Sequence, residues 1–235
     1  MKKLLATILA LVMALSLCSV AWATGEYTPL PDAVNDTITL TKDVTFSGDA
    51  TLNLTGKTVE TKGYTITVAS GTVSITGGKF VNETEGVTTK GSEDPHGILA
   101  VNSGATLNIT NASLETKAYQ PLTVEGTCNS VGTTYKCTVA NDKYDSKVMI
   151  SVKGSAAYLN MPSGSVEMVA SESASDGMYG IYASNGGKVT VGDAATGTGP
   201  SVHSQFAALG NNHDTISVRV EHLWRRVCLC RESDC

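Results

Sequence analysis

A chain of 235 residues with 17 Lys plus Arg, 22 Asp plus Glu and a formal net charge of −5 has room for a short leader and one domain or a repeat array. From Thr24 to Val218 it holds 11 Lys, no Arg and 19 Asp plus Glu, a balance that excludes nucleic acid, whose phosphates call for basic stripes, and an anionic membrane surface. Charged residues make up 17% and aromatics 6%, while Thr, Ser, Gly, Val and Asn are abundant, and that mix favours short strands and tight turns over helices.

The chain opens on Lys2 and Lys3, runs through an uncharged apolar stretch from Leu4 to Leu17, and reaches Ala21-Trp22-Ala23. This is the basic, apolar and small-x-small order of a secretory signal peptide, with cleavage expected after Ala23. The apolar run is shorter than the roughly 20 residues of a spanning helix, and no later stretch is apolar enough to span a bilayer. Cys18 raises a lipoprotein signal as a rival, but Leu17 stands where such a signal has a small residue. The expectation is therefore residues 1–23 as signal peptide, an extracellular or cell-surface protein, and no transmembrane span after cleavage.

Residues 24–210 repeat. A small turn with Gly recurs before a short alternating segment: Ser47-Gly48 before Leu52 and Leu54, Ser70-Gly71 before Val73 and Ile75, Ser103-Gly104 before Leu107 and Ile109, Gly154-Ser155 before Leu159 and Met161, Gly186-Gly187 before Val189 and Val191. Apolar residues two apart share one face of a strand. A second strand precedes several turns, carrying Ile66 and Val68, Ile98 and Ala100, or Ile181 and Ala183, and Gly97–Gly104 aligns with Gly180–Gly187 as G-I-x-A-x-N-[SG]-G. One such unit cannot bury its apolar face alone; stacked units can, with Gly and Asn turning the corners. This predicts an all-β fold, a right-handed parallel β-helix or solenoid, with a β-sandwich as the alternative because the unit spacing is uneven.

Ser103–Thr110, Ser70–Phe80 and Tyr179–Asp193 resemble coils of bacterial right-handed parallel β-helix surface proteins of the pectin-lyase-like and adhesin-like kind, over roughly residues 39–210. The resemblance implies a secreted or cell-surface β-helix. Since this architecture hosts both enzymes and passive surface proteins, it leaves function open. Lyases of this kind use a basic residue, often Arg, with calcium-holding acids. The body has no Arg, so that carry-over fails.

Few residues offer catalytic or binding chemistry. Glu93, Asp94 and His96 surround Pro95 in a polar stretch that reads as a solvated loop. Asp142 and Asp145 flank Lys143 and Tyr144 without the oxygen ligands of a calcium loop. No catalytic residue, metal ligand or cofactor is assigned. Tyr64, Tyr119, Tyr135, Tyr144, Tyr158, Tyr179 and Tyr182 are either sugar-stacking rings or packing between coils. Asn-x-Ser/Thr sites at Asn35, Asn53, Asn82, Asn108 and Asn111 follow from composition. Cys128 and Cys137, separated by the turn-like Asn129–Thr134, are expected to bond across a hairpin projecting near residues 126–140, since export permits disulfides.

Residues 211–235 break the pattern. Every Arg (Arg219, Arg225, Arg226 and Arg231) lies after Val218, with Trp224, Cys228, Cys230 and Cys235. The Cys spacing with His222 is not a standard zinc pattern, a solenoid cap is a second reading, and an out-of-frame or truncated gene end is the preferred one. The functional expectation is a structural, adhesive or glycan-contacting surface protein whose partners are cell-wall or host glycans or surface proteins. The alternative is a polysaccharide lyase or hydrolase of similar fold, and enzymatic activity is left undecided.

Overall fold

The structure is a computed structural model that describes residues 30–84, 97–117, 120–139, 147–170, 178–192, 199–206, 212–213 and 218–220. Among them every regular element is a β-strand. The strands come three to a coil. The first coil holds β1 (Thr37–Thr39), β2 (Val44–Ser47) and β3 (Ala50–Asn53), and the second β4 (Thr58–Glu60), β5 (Ile66–Ser70) and β6 (Thr72–Thr76). The third holds β7 (Lys79–Asn82), β8 (Leu99–Val101) and β9 (Thr106–Thr110), and the fourth β10 (Ser113–Thr116), β11 (Leu122–Val124) and β12 (Thr127–Val131). The fifth holds β13 (Thr133–Val139), β14 (Lys147–Lys153) and β15 (Tyr158–Met161), and the sixth β16 (Gly164–Ala170), β17 (Met178–Ser184) and β18 (Lys188–Val191). After them come β19 (Ser201–Phe206), β20 (Asn212–His213) and β21 (Val218–Val220).

Each strand from β1 to β16 pairs with the strand three later, so the chain winds through three sheets in turn; β17 pairs with β21. The first sheet runs from β1 by way of β4, β7, β10, β13 and β16 to β19; the second runs from β2 to β21, and the third from β3 to β18. Every one of these ladders is parallel; the antiparallel contacts are β19 with β20 and the Val34–Thr37 bridge. This is a right-handed parallel β-helix. A sandwich would join neighbouring strands as antiparallel hairpins, and here neighbours in sequence from β1 to β19 sit in different sheets.

The core follows from alternation. Inward residues stack in register: Ile38, Val59, Phe80, Leu114, Tyr135 and Val166 in the first sheet, and Val73, Leu107, Cys128 and Leu159 in the third. All of these are buried. Burying a side chain of this size contributes about 1.5–3 kcal/mol over leaving it exposed, and each does so only because another coil lies above or below. Of the expected core set, Leu54, Val73, Ile75, Leu107 and Ile109 are buried, while Leu52, Val189 and Val191 are partly buried. Those three lie in β3 and β18, the terminal strands of the third sheet.

Two expectations need correction. The segment 126–140 does not project as a hairpin: β12 lies between β9 and β15 in the third sheet, and β13 between β10 and β16 in the first. The turn at Gly132, with φ +61, is an ordinary corner of the coil. Next, the alignment of Ile98 with Ile181 is off by one. Leu99 pairs with Leu122, Leu122 with Ile150 and Ile150 with Ile181, so Leu99 holds the position of Ile181. Ala100 accordingly faces outward. Gly104 and Gly186, not Gly187, share the positive φ. Past residue 210, β21 pairs in parallel with β17 over Val218–Val220; the rest of the expected tail 211–235, apart from β20, and the signal segment 1–23 lie outside the described residues.

Candidate functional site

With the interior filled, any contact surface must be an outer face. The three faces differ in chemistry because the outward residues of each ladder differ. On the first sheet one outward ladder runs Thr39, Glu60, Val81, Glu115, Lys136 and Glu167. Its acids are engaged by lysines: Lys62 Nζ lies 2.9 Å from Glu60, Lys79 Nζ 2.8 Å from Glu115, and Lys136 Nζ 3.5 Å from Glu167. The hydrogen bond and charge of Lys62 hold the Glu60 carboxyl below its ordinary pKa, and Lys57 does the same for Asp36 through a short side-chain bond. Such exposed pairs are screened by solvent and contribute little to stability.

The second sheet presents an outward ladder of Thr45, Thr67, Ala100, Thr123, Ser151 and Tyr182, with the exposed Lys153 beside it on β14.

The third sheet presents three outward ladders. One holds Thr72, Thr106, Thr127, Tyr158 and Lys188; the next Thr51, Ser74, Asn108, Asn129, Asn160 and Thr190; the last Asn53, Thr76, Thr110 and Val131. Lys188 is the one charged residue in them, at the far end; at the near end Asp49 Oδ1 accepts a hydrogen bond from the Thr72 N–H at 2.7 Å. Between those ends, apart from Tyr158 and the exposed Val131, the face is hydroxyl and amide. Asn129 Nδ2 donates to Asn108 Oδ1 at 2.8 Å, and Asn108 Nδ2 to Ser74 Oγ at 3.4 Å. An Asn amide has two N–H donors and a two-lone-pair oxygen, so each keeps capacity for a ligand after these bonds. Tyr158 is half-buried among them, its hydroxyl donating to Thr190 Oγ1 at 3.0 Å.

The sequence-picked residues scatter. Tyr135 is buried and bonded to Ser130 at 2.9 Å, with burial pushing its phenol well above the usual range. Tyr64 sits at a corner, 37% exposed. Tyr158 and Tyr182 face outward from different sheets, so no aligned row of tyrosines forms among the described residues. Tyr119, Tyr144, Glu93, Asp94, His96, Asp142, Asp145, His222, Cys228, Cys230 and Cys235 lie outside the described residues, as does the side chain of Tyr179.

No family model, curated protein or solved structure matches this chain. The site therefore rests on its own geometry. Among the described residues no group of three His, Cys, Asp or Glu side chains is placed to hold a metal ion, and no helix is long and apolar enough to cross a membrane. Cys128 and Cys137 stand as buried thiols rather than as the expected disulfide. Cys128 stacks between Leu107 and Leu159 in the third sheet, and Cys137 between Thr116 and Met168 in the first. Burial raises the Cys128 thiol to about 12 and the Cys137 thiol further, which makes both poor nucleophiles. The register sets Asn129 between Asn108 and Asn160 on one outward ladder, where the sequence alone reads Asn and Thr ladders as structural groups at the corners. The signal was there in the outward residue of Leu107-Asn108-Ile109, Cys128-Asn129-Ser130 and Leu159-Asn160-Met161.

Proposed function

We propose that this chain is a secreted or cell-surface β-helix with a structural, adhesive or glycan-contacting role, of the kind its repeats resemble in pectin-lyase-like and adhesin-like bacterial surface proteins. The observation that carries this reading is the outer face of the third sheet, an in-register array of hydroxyls and amides around one half-buried tyrosine. Hydroxyl and amide groups exchange hydrogen bonds with sugar hydroxyls at little desolvation cost compared with charges, and a regular rung spacing repeats the offer along the axis. The signal-like start, Lys2 to Ala23, supports export. Partners of this class are cell-wall or host glycans or surface proteins.

The alternative, a polysaccharide lyase or hydrolase, calls for carboxylates poised to exchange protons with a substrate. Glu60, Glu115 and Glu167 of the first sheet are instead held in surface ion pairs, which favours contact over turnover. The test is a glycan-binding array read beside product release from acidic and neutral polysaccharides. Retention without released sugar is the expected result; release of reducing ends or unsaturated products establishes the enzyme instead.

A further inference from the structure

The face of the third sheet narrows the class of ligand. Its rungs repeat about every 4.8 Å, the spacing of hydrogen-bonded strands. That step is close to the advance per sugar ring of an extended, β-linked polysaccharide, so a glycan laid parallel to the solenoid axis meets the same chemistry at successive rings. Asn108, Asn129 and Asn160 occupy one ladder on three consecutive coils, and the first two are bonded to each other along the axis, which fixes their planes and leaves the remaining amide edges outward. Tyr158 lies on the same strand as Asn160, two residues away and therefore on the same face. Its hydroxyl is anchored to Thr190, so the ring is held in place before any ligand arrives. A fixed aromatic ring beside amide donors and acceptors matches the two surfaces of a pyranose, apolar C–H face and polar rim.

Charge decides the rest. Between Asp49 and Lys188 at its ends, this face has no charged ladder position, whereas the acids of the first sheet are matched by lysines. A uronate or sulfated polymer would meet one cation on the array, Lys188 beside Tyr158 at its far end, and none from Thr72 to Tyr158, and the chain's net charge of −5 opposes its approach. We infer that the ligand is a neutral, extended β-linked polysaccharide bound along the third sheet with Tyr158 as its stacking platform; this rests on the glycan-contacting reading above.

The experiment uses the full chain and measures its depletion from solution by insoluble β-glucan, β-mannan and, as the anionic arm, cross-linked polygalacturonate. Retention on a neutral polymer, unchanged by added salt, is expected. Tyr158→Ala should weaken it about tenfold, the loss of one aromatic contact with its anchor. Tyr158→Phe keeps the ring and should retain binding, and Asn129→Asp should weaken binding without removing any apolar contact, which covers the case in which Tyr158→Ala disturbs the fold. Glu115→Gln on the first sheet should leave binding as it is. Salt-sensitive retention on polygalacturonate alone, or neutral retention indifferent to both Tyr158→Ala and Asn129→Asp, overturns this inference while leaving a glycan-contacting protein. Absence of retention on every polymer, and of signal on the glycan array, overturns both.

Discussion

Gly71 and Gly104 stand at equivalent corners, between β5 and β6 and between β8 and β9, with nearly the same backbone, φ +74 and +81. Their surroundings differ. A Cβ on Gly71 would lie 2.6 Å from the carbonyl carbon of Gly48 and 2.9 Å from the backbone nitrogen of Asp49, whereas one on Gly104 would meet nothing within 4 Å. Gly104→Ala should therefore cost only the left-handed penalty of an L-residue, about 1–2 kcal/mol. Gly71→Ala adds a backbone collision that no side chain can relieve and should cost roughly 2–5 kcal/mol. Urea denaturation of the two variants measures the difference; equal costs would mean the coils are not stacked this closely. The buried thiols allow a second residue-level prediction. Native protein should leave Cys128 and Cys137 unlabelled by an alkylating reagent at neutral pH, and denatured protein should label both, as read by peptide mass mapping. The pH dependence follows from the same burial. Cys128 is raised from an ordinary 9.0 to about 12, so the folded state keeps a proton that the unfolded state releases. Its contribution is complete below about pH 9 and is lost as pH climbs towards 12. Stability that rises across that interval would contradict the burial.

Strand β7 shows how one element divides its labour. Phe80 points inward between Val59 and Leu114 and is fully buried, while Lys79 points outward to Glu115 at 2.8 Å. Phe80→Ala should cost about 3–5 kcal/mol through lost transfer energy and a cavity between coils, and Lys79→Ala at most about 1 kcal/mol, the ceiling for an exposed pair; thermal melts of the two variants give the ratio. This division explains what could be read from the sequence. Alternation after a Gly turn marks inward residues whenever a strand is long enough to show its period, and it placed Val73, Ile75, Leu107 and Ile109 in the core. It slipped at β8, where Ile98 just before the strand is also buried, so two adjacent apolar residues left the phase ambiguous by one. It misled at Cys128 and Cys137, because a short turn between two strands looks the same whether the chain reverses or merely rounds a corner. Long-range register, which local sequence does not encode, separates those cases. The candidate site was half legible for the same reason. Each Asn of the third-sheet ladder is visible in its own triplet, but that Asn108 and Asn129 touch depends on a coil advance of 21 residues, a spacing hidden among longer ones.

At the scale of the whole molecule, coil length varies in a patterned way. Register partners on successive coils lie 21 to 23 residues apart where the coil is short and 28 to 37 apart where it is long. The connections from the third sheet back to the first, such as residues 77–78, 111–112 and 162–163, stay short up to β16, and so do those from the second to the third, such as 71 and 125–126. The longest connection within these six coils, 83–98, joins the first sheet to the second, and 140–146 and 171–177 make the same passage. Length is thus absorbed at one corner of the solenoid, which keeps the rungs of the third sheet evenly stacked. The reason lies in the packing of the other corners. At 125–126 the Glu125 and Gly126 N–H groups both donate to Val101 O, and a Cβ on Gly126 would lie 2.3 Å from Asn102 O. Added residues there must break bonds to the coil below. In a solenoid each coil is stabilised by its neighbours alone, so such a break propagates to the coil above as well. We therefore predict that lengthening 117–121 with a Gly/Ser segment, to match 83–98, costs only about 1 kcal/mol of loop-closure entropy, while the same segment between Glu125 and Gly126 costs several times that or prevents folding. Circular dichroism with urea titration of the two insertion variants decides it. Equal damage from both would show that the first-to-second corner has no special tolerance, and that the long connections there are held by contacts rather than accommodated by the geometry of the coil.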